Sequence, residues 1–404
     1  MMMQAANSAW HDFIEQQLPT SKNEAWKYVD FSHLKKSSFQ LSVKQDKKIE
    51  MAAIAALRME DTVNLIFVDG FFNEALSDQL PTGCVFSRGK NHATFSQYLN
   101  ATLDAKKFPF ANLNRAIFSD DFVLTVADNA TIARPLHFVF VGSQKDIISH
   151  PRRLITMGRN SHLTISEEYV SLTDAAYMTN IVTHIDVNQD ATLRYAKVQN
   201  ENAKAFHVAA TFVQQHKNSE THFNQFSRGG LLQRDDLYVS LLETGASCHT
   251  AGFYQLHTDN QCVDHHVDIM HLAGSTESEM LYKGILDKKS KSIFNGKLYV
   301  EKNAQKITAY QANHNLLMSS NAEVYSKPEL EIYADDVKCK HGATTGQIDL
   351  DALFYLRSRG ISETEALEML LAGFAREIFD RIENQPIRKR IESRFKKMEC
   401  ESHD

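Results

Sequence analysis

Two short stretches of this sequence gather side chains that can bind a metal. In KCKHG, Cys339 and His341 stand one residue apart. On an extended strand both project from one face, because successive side chains alternate. A thiolate and an imidazole so placed can reach one metal ion or one iron of a cluster. Two ligands do not close a site, so the rest must come from another chain or a transient donor. The pair also suits a plainer role, with Cys339 a small buried hydrophobe and His341 a hydrogen-bonded core residue, the commoner fate of each type. In CVDHHVDIMH, Cys262, Asp264, His265, His266, Asp268 and His271 crowd together. On a strand, Asp264, His266 and Asp268 share one face and His265 takes the other, a nitrogen and oxygen set that suits a metal-dependent hydrolase or oxygenase. A ladder of polar side chains satisfying one another is the more ordinary reading.

Enzyme classes with conspicuous signatures are missing. There is no GxxxxGK[ST] cradle for nucleotide phosphates, no GxSxG elbow, no HExxH and no GxGxxG between a strand and a helix. The chain is therefore not expected to hydrolyse ATP itself. The five cysteines, Cys84, Cys248, Cys262, Cys339 and Cys400, are odd in number and form no CxxC pair, which argues against a disulfide framework and a four-cysteine zinc site. Forty-four basic and fifty acidic residues leave a net charge of -6, too balanced for gripping a phosphate backbone, so nucleic acid is not expected as a partner. No apolar run is long enough to span a membrane. The N-terminus shows no export or organelle signal, and a cytoplasmic address follows by default.

The elements that would position these residues are legible in outline. With 404 residues, 43% of them hydrophobic, the chain can bury a large core. Trp10, Phe13, Ile14, Gln17 and Leu18 recur at helical spacing before Pro19, and Asp69-Gly70 marks a turn in a mixed region. From Phe122 onward, short alternating runs are punctuated by a small-residue dipeptide. It recurs at Asn129-Ala130, Asn160-Ser161, Asp190-Ala191, Asn218-Ser219, Gly245-Ala246, Gly274-Ser275, Asn303-Ala304 and Asn321-Ala322, the first six intervals being 31, 30, 28, 27, 29 and 29 residues. Residues tolerant of left-handed backbone are needed wherever a chain turns the same corner repeatedly, and stacked units of this kind bury a continuous interior. A parallel β-helix, or β-solenoid, is expected over a β-sandwich. Beyond Thr345 the pattern turns helical. Asp349 caps one helix, Gly360 ends it, and Ser362 with Glu365 forms a capping box for a second. That second helix carries Leu367, Leu370, Leu371, Phe374, Ile378 and Ile382 as one stripe, which suits either its own core or a partner's groove. Pro386 is read as its end, and the charged residues after it as solvated. The expected division is a mixed helical cap at 1–115, a coil core at 116–345 and a helical region at 346–404.

At the level of whole stretches, the sequence resembles the SufB/SufD family of the SUF iron-sulfur cluster assembly system. Residues 327–382, KPELEIYADDVKCKHGATTGQIDLDALFYLRSRGISETEALEMLLAGFAREIFDRI, look like its shared C-terminal signature, and residues 282–328 are similar to its last coil turns. LPTSKNEAWKYVDFSHL, at 18–34, looks like the SufD-type opening rather than the SufB type. HGATTG departs slightly from the family's usual wording, with no function attached to the difference.

The resemblance implies a mainly β fold, a right-handed parallel β-helix flanked by N-terminal and C-terminal helical regions. It implies a non-catalytic scaffold that pairs with SufB through the β-helix ends and binds the ATPase SufC through the C-terminal helices, with Phe354, Tyr355, Arg359, Gly360, Leu367, Leu371 and Phe374 as the docking candidates. It maps the family's CxHGA motif onto Cys339 and His341, with His341 implicated as a ligand of a transient iron-sulfur cluster shared with SufB. Whether Cys339 ligates or only packs stays open. The resemblance leaves room for reduced flavin in the complex and for a homodimer of the isolated chain, and implies no cofactor held stably by that chain. Two alternatives stand beside it: a stand-alone metalloenzyme using His266, Asp268 and His271, and a SufB-type scaffold that accepts sulfur.

Overall fold

The computed structural model describes residues 2–44, 49–89, 92–100 and 103–395. Among them, all 21 strands lie in two mainly parallel sheets of eleven and ten strands, and from Pro151 onward the order along each sheet skips every second strand of the chain. The chain therefore alternates between the sheets, building a β-solenoid of about eight turns. Its register holds from coil to coil: Thr183 stacks on Thr211, then in turn on Leu237, Val267, Gly296 and Pro328.

The repeat seen in the sequence is one corner of this coil. Asn129, Asn160, Asp190, Asn218 and Gly245 hold φ between +53° and +77°, the left-handed region in which Asn, Asp and Gly are least penalised. Each bends the chain so that its amide meets a carbonyl of the following coil, as in Asn160 N to Gln189 O at 2.9 Å and Asp190 N to Lys217 O at 2.9 Å. The side chains stack too, Asn160 Nδ2 donating to Asn129 Oδ1 at 3.0 Å and Asn218 Nδ2 to Asp190 Oδ1 at 3.0 Å. Further on the reading needs correction. The left-handed residue becomes Ser275 rather than Gly274, and Lys306 rather than Asn303. The corner survives there because the amides of Ser275 and Lys306 keep the same bond to the next coil. Asn321-Ala322 sits at the opposite corner, between the strands Ile307–Leu317 and Glu323–Ile332.

One corner histidine ties three coils together. His216 Nδ1 lies 3.0 Å from Glu243 Oε1 and its Nε2 3.0 Å from Asp186 Oδ1. Burial opposes its charge, but the Glu243 and Asp186 carboxylates outweigh that and raise its pKa above 6.5. A raised folded-state pKa means that the stabilisation is complete below the unfolded value and fades as pH rises through the folded one. His216→Gln is expected to remove about 0.2–1 kcal/mol of stability at pH 6 and progressively less toward pH 8.5. Urea unfolding at both pH values measures the difference, and equal losses would contradict the role.

Both outer faces of the coil are covered, which is why most strands are buried along their whole length rather than at alternate residues. On the eleven-stranded sheet, Trp10, Phe13, Trp26, Phe31 and Phe110 of the N-terminal region pack on Met178, Phe206, Val208 and Leu232. On the ten-stranded sheet, the helices Glu363–Phe379 and Gln385–Phe395 pack Leu371, Ile378, Phe379, Ile387, Ile391 and Phe395 on Val198, Phe226, Phe253 and Leu281. Pro386 thus lies in the first turn of a third C-terminal helix, where its missing amide proton costs nothing. The stretch read as solvated is anchored as far as Phe395, while 396–404 lie outside the described residues.

The two ends of the coil differ. At the start, the strands Phe71–Phe72 and Cys84–Ser87 close it by antiparallel pairing, the first through the expected turn at Asp69-Gly70. The strand Val63–Val68 already pairs in parallel with Leu136–Gly142, so the coil draws strands from the region assigned to a separate cap. At the far end, Glu323–Ile332 and Val337–Gly346 are the last strands of their sheets and are only partly buried or exposed.

Candidate metal-binding corner at the open end of the coil

The strand Val337–Gly346 pairs on one side only, with Ile307–Leu317. Alternation then decides where its side chains go. Val337 and Cys339 pack against the coil core, so His341, two residues on, belongs to the same inward face. Cys339 stacks above the buried Ala309 and His341 above the buried Gln311. Cys339 is half-buried and His341 exposed, because no further coil covers them. Burial pushes the Cys339 thiol up, so it holds its proton at neutral pH. Lys338 and Lys340, exposed on the other face of the strand, add positive charge that favours anionic sulfur nearby. The corner presents one nitrogen and one sulfur donor atom on an accessible edge, a pair that could serve a soft metal only together with ligands from another molecule.

The second stretch does not assemble a site. It forms the strand Cys262–His271, with Asp264, His266 and Asp268 on the outer face as expected. Asp264 accepts from Arg234 and lies 3.1 Å from His266 Nε2. Burial opposes its ionisation, but Arg234 and His266 outweigh it and hold the carboxyl below its usual range. Arg234 also pairs with Asp236 at 2.8 Å and stacks on Trp26 at 4.1 Å. Asp268 pairs with Lys107 at 2.8 Å. His265 and His271 belong to the inner face, His265 3.2 Å from Ser227 Oγ and His271 held between Thr276 and Ser278 at 2.7 and 2.9 Å. His266, Asp268 and His271 therefore cannot converge, since five residues of strand separate His271 in parity from His266. This corrects the metalloenzyme alternative. Among the described residues, no three His, Cys, Asp or Glu side chains could hold a metal ion.

The docking candidates divide by the face they occupy. Phe354 and Tyr355, on the helix Leu350–Ser358, are 74% and 57% exposed, and Arg359 and Gly360 are exposed beside them. Arg359 stacks on Tyr355 at 5.1 Å. Leu367 and Phe374 are half-buried, and Phe374 lies under Lys283 Nζ at 5.1 Å. Leu371 is a correction: it is 1% exposed, pressed onto the outer face of the ten-stranded sheet, and a partner could not touch it without lifting the helix. Leu350 and Met369 are exposed apolar side chains as well, and the sequence reading did not single them out: Met369 lies off the apolar stripe of its helix, and Leu350 opens the helix before it.

The clasp that holds the helices was also missed. Glu168, on the outer face of the strand His162–Ser171, is met by Arg390 Nη2 at 3.0 Å and Arg394 Nε at 2.6 Å. Arg390 reaches on to the carbonyl of Leu57 at 3.1 Å, tying the last helix to the N-terminal region. The available signal was the adjacent acids Glu167 and Glu168 in a strand: Glu167 faces inward to Arg153, so Glu168 must face out.

No described helix is long and apolar enough to cross a membrane. Two family profiles together cover most of the chain, a SufBD N-terminal region at 1–138 and a SufBD core domain of SUF system FeS cluster assembly at 140–374. A SufBD family iron-sulfur cluster assembly protein of Synechocystis is 32% identical over 384 residues, covering 90% of this chain and 84% of its own. The iron-sulfur cluster assembly protein SufD of Escherichia coli is 30% identical over 383 residues, covering 94% and 88%. Protein ABCI7, chloroplastic, of Arabidopsis thaliana is 28% identical over 397 residues, covering 94% and 82%. The chain belongs to the SufBD family of iron-sulfur cluster assembly proteins.

Proposed function

We propose that this chain is a non-catalytic, SufD-type scaffold subunit that offers Cys339 and His341 to a nascent cluster completed by SufB, and that it carries SufC on its C-terminal helices. The observation behind the reading is the inward-facing thiol and imidazole on the uncovered last strand, an incomplete ligand pair at the far end of the coil. An incomplete set suits cargo, because a cluster held by few ligands from each side can leave again.

The ends of the coil favour one mode of pairing. Exposed edges of parallel strands invite another sheet, and proteins rarely leave them bare. Head-to-tail stacking would use the edges at the other end, where the coil finishes in antiparallel strands of two and four residues, a far shorter edge than the ten-residue strands at the far end offer. A partner coil therefore meets this one tail to tail, which brings its own last strands beside Cys339 and His341.

The test is co-expression of the chain with SufB and SufC from the same cell. His341→Ala is expected to lower iron and sulfide in the purified complex at least about threefold, the order expected for losing one of a few metal ligands. Gel filtration should show the complex still assembled, since one side chain is a small part of an interface built along two ten-residue strands. Unchanged iron and sulfide in an intact complex would remove the ligand role.

A further inference from the structure

Between the last two helices, Glu363–Phe379 and Gln385–Phe395, runs a groove of about 990 Å³. Its floor is apolar and buried, made by Ala375, Phe379 and Phe395, with the two phenylalanine rings 5.8 Å apart. Its wall on the first of these helices is Met369, Ala372 and Gly373, all exposed and none of them part of the apolar layer that packs on the sheet. Single exposed apolar residues need no explanation, but a walled groove of them does. The chain itself leads into this groove. Phe395 belongs to the floor, and the sequence continues from it as KKMECESHD, residues 396–404. At full extension that segment spans about 30 Å. The groove face of the helix, from Glu365 to Phe379, is about 21 Å long, so the segment can run its whole length. Its chemistry fits as well. On an extended segment Met398 and Cys400 share one face, which matches the apolar wall and floor, and Glu399 and Glu401 share the other. Those acids would meet Arg376, whose side chain is 76% exposed and whose pairing with Asp380 is loose at 3.5 Å. Lys396 follows Glu392 of the groove rim by four residues, a spacing at which opposite charges on a helix support one another.

We propose that residues 396–404 run back along the helix Glu363–Phe379 and fill this groove, with Met398 seated against Met369 and Gly373. The segment is tethered at the mouth of its own site, which gives it a high effective concentration there and lets a modest contact suffice. Seated in this way it covers Met369. A partner that approaches this side of the helices then has to displace it, so the tail acts as an internal competitor for that face. The inference is independent of which partner that is and of any cluster chemistry at the far end of the coil.

The test places a cysteine in the groove wall of the full chain and asks whether the native Cys400 finds it. Gly373→Cys suits the purpose, because a Cβ there meets nothing within 4 Å. Glu377→Cys is the reference, four residues further on and exposed on the side of the helix that faces Lys283. Each variant is treated briefly with a short bis-maleimide at low protein concentration, and the links made by Cys400 are quantified by mass spectrometry. Burying a methionine side chain is enough for at least about a tenfold preference, so the 373–400 link should exceed the 377–400 link by that factor. Met398→Ser should bring the ratio close to one, and a tenfold ratio that survives it overturns the seating of Met398. Equal linking at both positions with Met398 intact overturns the proposal, and so does a 373–400 link formed only between two chains. If Gly373→Cys disturbs the helix, Ala372→Cys on the same wall replaces it with the same outcomes.

Discussion

Glu168→Ala is expected to release the last helix from the coil and to cost about 3–5 kcal/mol, the range for breaking a buried ion pair by removing one partner. The carboxylate is almost wholly buried and faces two guanidiniums, Arg390 and Arg394, that reach it from consecutive turns of the helix Gln385–Phe395. Alanine leaves both cations beside His137, which burial keeps neutral by lowering its pKa to about 4 and which offers no compensating charge. The same helix contributes Ile387, Ile391 and Phe395 to the apolar layer over Phe226 and Phe253, so its loss also exposes that layer. Glu168→Gln, which keeps the shape and one acceptor, should cost less. Hydrogen exchange over 385–395, followed with urea unfolding, separates local release from global loss. Exchange in that helix unaffected by Glu168→Ala would show that apolar packing alone seats it.

The coil was legible because its corners impose a chemical requirement on single residues. A left-handed position at each turn selects Asn, Asp or Gly, and five such residues at intervals near thirty announce the stack. Ser275 and Lys306 mark where legibility ends. There the backbone bond to the next coil carries the corner, and the side chain leaves no trace in the sequence. The start of the coil was hidden for a related reason. Val63–Val68 is an ordinary apolar strand whose partner lies about seventy residues away, and no local pattern reports a pairing at that distance. Strand parity made the Cys339 and His341 corner readable, and parity also undid the His266, Asp268 and His271 set. What parity could not give was the layer outside each sheet. Leu371 looked equally suited to a partner or to the chain's own core, and only the apolar outer face of the ten-stranded sheet decides between them.

Replacing Phe354 and Tyr355 together by Asp is expected to weaken binding of the ATPase subunit about a hundredfold or more while leaving the fold of the chain intact. Aromatic anchors of this kind carry roughly 2 kcal/mol or more each when an interface buries them, and two charges buried in their place add a desolvation penalty. The platform is well formed without a partner. Asp349 Oδ1 accepts from the amides of Asp351 and Ala352 at 2.9 and 3.1 Å, and Gly360, at φ +86°, ends the helix in the left-handed conformation that other residues resist. The next helix opens on the Ser362 and Glu365 capping box. Stable structure that nonetheless presents Phe354, Tyr355, Leu350 and Met369 to solvent puts large apolar side chains where folding does not need them. Exposed substitutions of this sort usually change stability by less than about 0.5 kcal/mol, so binding and folding should separate cleanly. Leu371→Asp supplies the contrast: buried on the sheet, it should unfold the helical region and lose binding only as a consequence. Calorimetric titration with the ATPase, beside circular dichroism melts of each variant, distinguishes the two outcomes, and wild-type affinity in the double Asp variant would place the docking surface elsewhere.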